Sequence, residues 1–370
     1  MIKLSKTWRV GILLLSWLLL FNCQNQAPTK QGLVVNGPVR FDVNKAPFPK
    51  LSEYAFFKGN QSELKPNAGV LPYELITPLF TDYAHKSRFV WMPKGEKASV
   101  NAEGRLEFPD QAVLIKNFYY PADFKQPEKD WDLIETRLLM KIKGEWQAFT
   151  YVWDEQEHDA DLNIVGDFKP VSWQDEKGRK QSIEYVVPNK TQCKSCHNRN
   201  ESIQPIGPKV ANLNKALRYP DGKTENQLSR WQKEGYLATG DYGKQFAKLA
   251  SWNDPQSGSL DARARAYLDV NCGHCHHPQG PAHSSGLYLQ ADQADPTHWG
   301  VCKPPVAAGK GSGGRQYGIV PGHPESSILL YRMEKTDPGV MMPEIGRVMV
   351  HQEAVELIRD WIADLKGDCK

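Results

Sequence analysis

The sequence predicts an α+β multidomain chain: an N-terminal β-rich, sandwich-like domain, a middle segment built around paired cysteines, and a C-terminal all-α domain. Three observations predict it. Residues 46–190 are dense in β-branched and aromatic runs broken by turn residues. Residues 256–370 open and close on amphipathic helical patterns that bracket a loop-rich stretch. Two C-x-x-C-H pentads stand at Cys193 to His197 and Cys272 to His276.

The chain has 370 residues, 40% hydrophobic and 24% charged, an ordinary globular composition with room for two or three cores. A formal net charge of +3 is too small to argue for nucleic acid, and no basic patch is interleaved with aromatics. Lys3, Lys6 and Arg9 precede an apolar run from Val10 to Phe21 that is too short for a permanent membrane anchor. Residues 1–22 therefore read as a secretory signal peptide, and the mature chain is expected in the periplasm. Cys23 directly follows LLLFN, as in bacterial lipoproteins whose first mature residue is lipidated, although Asn22 departs from the usual small residue. The alternative is cleavage after Ala27, which discards Cys23. Residues 23–45 are polar and aperiodic and read as a tether. No other stretch reads as membrane-spanning, so a lipid anchor is the expected membrane attachment.

In the β-rich domain, 46–190, AVLIKNFYY (Ala112 to Tyr120) reads as a strand. ETRLLMKIKGEWQAFTYVW (Glu135 to Trp153) reads as two strands turning at Lys143-Gly144, and IEYVVP (Ile183 to Pro188) as the last. Further on, SLDARARAYLDVN places Leu260, Ala264, Tyr267 and Leu268 on one helical face behind an N-capping Ser259. At the C-terminus, HQEAVELIRDWIADLKG aligns Ala354, Leu357, Ile358, Trp361, Ile362 and Leu365, with Gly367 as the stop.

Seven cysteines in an exported chain need an account, because unpaired thiols are uncommon in oxidising compartments. Cys23 is the lipidation candidate, four sit in the two C-x-x-C pairs, and Cys302 with Cys369 are left to form a disulfide. The pentads have the spacing that attaches c-type haem: two thiols about a turn apart meet the two vinyl groups, and the next histidine binds iron. Cys193, Cys196, Cys272 and Cys275 are then the covalent attachment points of two haems c, and His197 and His276 the axial ligands. A four-cysteine zinc site fits poorly, since about 75 residues separate the pairs instead of the 15 to 20 of a compact ribbon. A thioredoxin-like dithiol would want a βαβ frame, and neither pair has one. Segment 191–255 is thus assigned to the first haem and 256–370 to a cytochrome c-like domain with the second. His274 and His277 are expected to be solvated or packed.

For the second iron, GVMMPEIGR offers Met342, directly before Pro343, as sixth ligand, with Met341 as the alternative. Helix, C-x-x-C-H, long loop, methionine, helix is the plan of a small cytochrome c domain. The first iron has no such supply, since no methionine lies between His197 and Met333. His85 is the favoured sixth ligand there, with Met92 and His158 behind it, and the position is otherwise open.

With these residues in view, the chain resembles a family of exported bacterial dihaem c-type cytochromes, often encoded beside a parallel β-helix protein. The resemblance rests on LPYELITPLFTDYAHKSRFVWMP, IETRLLMKIKGEWQAFTYVWDEQEHDADL, PNKTQCKSCH, NCGHCHHPQGPA and the stretch from Val301 to Arg347. The β-rich portion and first pentad are also similar to a segment appended to some quinoprotein sugar dehydrogenases. These likenesses imply electron transfer with a partner dehydrogenase as redox partner. Two other functions are open at this point: a peroxidase-type haem enzyme using an open first haem, and a binding domain coupled to a redox module through aromatics such as Trp91, Trp131, Trp146 and Trp153.

Overall fold

The computed structural model describes residues 32–370. The expected signal peptide, Cys23, Ala27 and the first part of the expected tether lie outside the described residues. Six strands form one antiparallel meander in which sequential neighbours pair throughout. They are β1 (Val70–Pro72), β2 (His85–Trp91), β3 (Val113–Pro121), β4 (Trp131–Ile142), β5 (Glu145–Trp153) and β6 (Ala160–Asn163). The β4–β5 hairpin turns at Lys143-Gly144, where both residues take positive φ, +54° and +83°. That pair of left-handed residues matches the twist of the flanking strands, as a two-residue hairpin requires. A second hairpin, β7 (Asp167–Gln174) with β8 (Lys180–Val187), packs over the sheet.

One face of the meander is sealed by a row running Phe89, Ile115, Leu138 and Phe149 in register. Onto it pack Leu51, Tyr54, Phe56 and Phe57 from the irregular N-terminal segment. This layer is not a second sheet, so the architecture differs from the expected sandwich. Its apolar residues ride on short 3-10 turns such as Leu51–Tyr54 and do not alternate with a strand's period of two. The tether also ends earlier than expected. Val34–Val35 pairs with Gly59–Asn60, and Val39, Phe41 and Val43 pack on the core, so the chain is docked from Leu33 onward.

The opposite face has two separate covers. Toward one end, Val90 and Leu114 meet Val210, Leu213, Trp231 and Leu237 of the segment that follows the first pentad. Toward the other, Phe118 and Tyr120 lie under Trp173, Tyr185 and Val187 of the β7–β8 hairpin. Along β3 the same-face positions run 112, 114, 116, 118, 120, so Lys116 falls in the gap between the covers. Residues 191–255 are therefore not a separate module but one of the layers on the sheet. Their helices include α1 (Lys190–Cys196) and α2 (Gln227–Lys233).

Residues 256–370 form a helical unit with its own core, and no strand occurs there. It contains α3 (Leu260–Asn271), α4 (Ile328–Met333) and α5 (Gln352–Asp364). The Ser259 side chain accepts from the Ala262 amide, the expected N-cap, which contributes about 1 kcal/mol. Ala264, Tyr267 and Leu268 of α3 bury against Ala354, Ile358 and Trp361 of α5. Cys302 is disulfide-bonded to Cys369, which fastens the chain end to this core. Polar contacts join the unit to the sheet. The Phe80 amide donates to Asn271 Oδ1 at 2.7 Å, and Asp82 accepts the Val348 and Met349 amides at 2.8 and 2.7 Å. None of the helices described is long and apolar enough to cross a membrane.

Candidate functional site

The gap on the sheet face opens into a cavity whose walls are the first pentad, the end of α3 and the loop after α4. Cys193, Cys196 and His197 line it from one side, Cys272, His274 and Met342 from the other. The two pentads lie in separate parts of the chain, and the fold brings the whole ligand set of the first and Cys272 with His274 of the second to one space, whereas Cys275 and His276 are not among its lining residues. The space inside it that water-sized spheres can occupy is about 170 Å³.

Local sequence explains how each pentad is presented. Asn189 and Gln192 form a reciprocal capping box that starts α1, so Cys193 and Cys196 fall one turn apart on the same side. Contacts between α1 and β5 set that helix against the sheet. The second pentad begins at the C-terminal end of α3, where the Cys272 and Gly273 amides both donate to the Leu268 carbonyl. A Cβ at Gly273 would sit 2.6 Å from the Asp269 carbonyl oxygen, so this tight exit needs a glycine.

Hydrogen bonds distinguish the histidines. A backbone carbonyl only accepts, so the 2.8 Å contact from His197 Nδ1 to the Gln204 carbonyl places the proton on Nδ1. Nε2 then keeps its lone pair. At His276, Nδ1 lies 3.3 Å from Ser285 Oγ, whose own proton is given to the Ala282 carbonyl at 2.7 Å. His276 Nδ1 must donate, and its Nε2 is likewise free. His277 is only 2% exposed, and its Nδ1 lies 3.2 Å from both the Gln279 amide nitrogen and Gln279 Oε1, so its contacts do not single out one tautomer. Desolvation holds His197 down to about 3 and His276 to about 4, so both stay neutral, the form a metal requires.

The pentad cysteines are unbonded. Burial pushes Cys196 up to about 11 and Cys272 and Cys275 to about 12, and raises Cys193. A reactive dithiol needs the opposite shift. Among the described residues no three His, Cys, Asp or Glu side chains converge as a metal-ion cluster. The donor sets instead fit haem c: each has two neutral thiols followed by a histidine with a free Nε2, the first set lining a mostly apolar space and the second reaching it through Cys272.

Met342 reaches this space, and Met341 is not among the lining residues. The loop is held by Arg347, which is 6% exposed and donates to the carbonyls of Met342, Lys335 and Met349 at 2.8, 2.7 and 2.9 Å. His85 does not reach the cavity; it packs on Phe124 and Tyr119 with centroids 4.8 and 5.7 Å away. Met92 is buried in the core beside Val90, and His158 is an exposed neighbour of Asp154. His274 does reach the wall. Its Nδ1 faces the Val270 carbonyl at 3.2 Å, which frees Nε2, and desolvation holds it to about 4. The signal for His274 was its place between the two thiols, which the end of α3 turns inward. His351 also lines the cavity, but its Nδ1 meets Tyr267 Oη at 3.1 Å and its ring stacks on Phe80 at 4.1 Å. Of the four tryptophans considered as a binding surface, Trp146 and Trp153 are buried, and Trp91 and Trp131 pack against the core. The chain matches no protein-family model, no curated protein and no solved structure in the comparisons made with each.

Proposed function

We propose that this chain is an exported dihaem c-type cytochrome that transfers electrons, taking them from a redox partner such as a periplasmic dehydrogenase. The observation that carries the reading is the common cavity: Cys193, Cys196 and His197 of the first pentad, Cys272 and His274 of the second, and Met342 line it, while Cys275 and His276 follow Cys272 behind its wall, and His197 and His276 each have Nε2 free. When bound, haem supplies the one-electron chemistry.

The chain's own residues hold and insulate. Cys193 and Cys196 give thioether bonds on one side, Cys272 and Cys275 on the other. The Gln204 carbonyl and Ser285 hydroxyl fix the orientation of His197 and His276, a type of support that also raises ligand basicity. Met342 is the sixth ligand of the second iron, which favours a higher potential than a second histidine would. For the first iron, His274 replaces His85 as the favoured sixth ligand, because it lines the cavity and His85 does not. The helical unit is then a cytochrome c-like domain, and the sheet is the wall that closes the first site. Lipidation at Cys23 would keep the protein at a membrane surface.

Intact mass of the exported protein and reduced-minus-oxidised spectra test the reading. Two covalent haems and c-type bands are expected, with one haem lost in a Cys193→Ala/Cys196→Ala variant and the other in Cys272→Ala/Cys275→Ala. A wild-type mass without covalent haem overturns it.

A further inference from the structure

The sheet floor of the cavity carries like charges that the fold leaves uncompensated. Register places Arg88 of β2 opposite Lys116 of β3, and Lys116 opposite Arg137 of β4. Like charges directly opposite on neighbouring strands repel, and burial strengthens the repulsion. All three side chains line the cavity. Arg137 is neutralised, since Glu135 pairs with it and accepts the Tyr185 hydroxyl at 2.6 Å. Arg88 is not. It is 8% exposed, and its Nη2 is buried with no hydrogen-bond partner.

Lys116 has no acceptor among the described residues; its ammonium lies 4.7 Å from the Phe118 ring centroid. Desolvation and then repulsion from Arg88 push Lys116 well below its ordinary value. Lys86, on the same face of β2, is satisfied by the Ala84 carbonyl at 2.9 Å. The carboxylates that act on these cations are engaged elsewhere: Glu135 with Arg137, Asp82 with two backbone amides and Glu74 with Lys215. Two buried basic side chains therefore face the cavity without a counter-ion.

We propose that Arg88 and Lys116 form an anion seat for the two propionate carboxylates of the haem attached at Cys193 and Cys196. The inference rests on the dihaem reading and adds which residues receive the acidic edge of the group. Placement agrees with it. Arg137 acts on the Cys193 side of the floor, Lys116 one strand on also acts on Cys196 and His197, and Arg88 stands two strands away, about 10 Å at a strand spacing of about 4.8 Å. A group tied to the thiols by its vinyl-derived edge presents its acids at the other edge. Two cations match two carboxylates in charge, and an arginine fork suits a carboxylate's paired oxygens.

The test uses the haem-loaded full chain and three variants, Lys116→Met, Arg88→Gln and Arg88→Lys, with spectroelectrochemical titration and resonance Raman. Removing either charge should lower the potential of one haem and leave the other unchanged, because a lost cation favours the ferric state. The propionate-bending band should shift in the same variants. Arg88→Lys keeps the charge and loses the fork, so its potential should stay while the propionate band moves. A propionate band unchanged in all three, with two haems still attached, overturns the inference and leaves the dihaem reading standing. Wild-type protein without covalent haem overturns the reading itself. A neutral variant that loses only the haem of the first pentad supports the seat, whereas loss of both haems from all three variants, Arg88→Lys included, counts against it.

Discussion

Replacing Arg347 by methionine should destabilise the protein by about 3–5 kcal/mol and release the loop that carries Met342. The side chain is 6% exposed, and no ion pair offsets its charge among the described residues. Backbone carbonyls do that work. Nη1 donates to Met349 at 2.9 Å, and Nη2 donates to Lys335 at 2.7 Å and Met342 at 2.8 Å. Hydrogen bonds from a charged donor are worth about 1.5–3 kcal/mol each, so three would sum to roughly 4.5–9 kcal/mol. The buried guanidinium itself costs several kcal/mol of hydration, which methionine removes; about 3–5 kcal/mol remains, the range seen when one partner of a buried charged contact is deleted.

Equilibrium denaturation of the holoprotein reads the global loss. The charge-transfer absorption of a methionine-ligated ferric haem reads the local one, and it should fade before the main transition. Arg347→Lys keeps the charge without the fork and should recover only part of the loss. A cost below about 1 kcal/mol for Arg347→Met, with the ligation band intact, would refute the assignment of Arg347 as the brace of this loop.

Two further outcomes follow from buried groups on the helical side. His351 is held down to about 3 by desolvation, then by Lys86 and Arg347, whereas an unfolded histidine titrates near about 6.5. The folded state thus binds fewer protons, and stability present above about pH 6.5 is lost as pH falls toward the folded value. Between pH 7 and pH 5 this amounts to about 2 kcal/mol, so His351→Phe, which keeps the stack on Phe80, should flatten the decline of melting temperature with acid by that amount; an unchanged slope contradicts it. The Cys302–Cys369 bridge closes a separation of 67 residues, for which chain entropy gives up to about 4 kcal/mol. Cys302→Ala/Cys369→Ala should lower the denaturation midpoint accordingly, and neither cysteine should react with a thiol probe in the native oxidised protein.

Elements set by local chemistry were legible in the sequence. The Lys143-Gly144 turn, the Ser259 cap and the apolar faces of α3 and α5 each depend on residues within a few positions of one another, so periodicity and capping suffice. The sandwich expectation failed because the layer opposite Phe89 and Ile115 is built from turns around Leu51 and Phe57, whose burial depends on distant strands. His85 illustrates the same limit at the site. Strand alternation puts it in β2 but does not say which cover lies above its end, and Phe124 packs on its ring.

The floor of the cavity was harder still to read. Arg88, Lys116 and Arg137 are ordinary charged residues in three strands, and each alone reads as a solvent-facing position in an alternating pattern. Pairing register brings them abreast, and the two covers on that face leave them in a gap between them. Each arrangement is unfavourable for the protein alone: like charges in line, an arginine nitrogen without a partner and an ammonium against an aromatic ring. Natural sequences keep such conflicts where something else resolves them. Near two unbonded thiols and a neutral histidine, the dianionic group proposed for this site would resolve all three at once, which is why the proposal is better argued from these charges than from a missing methionine.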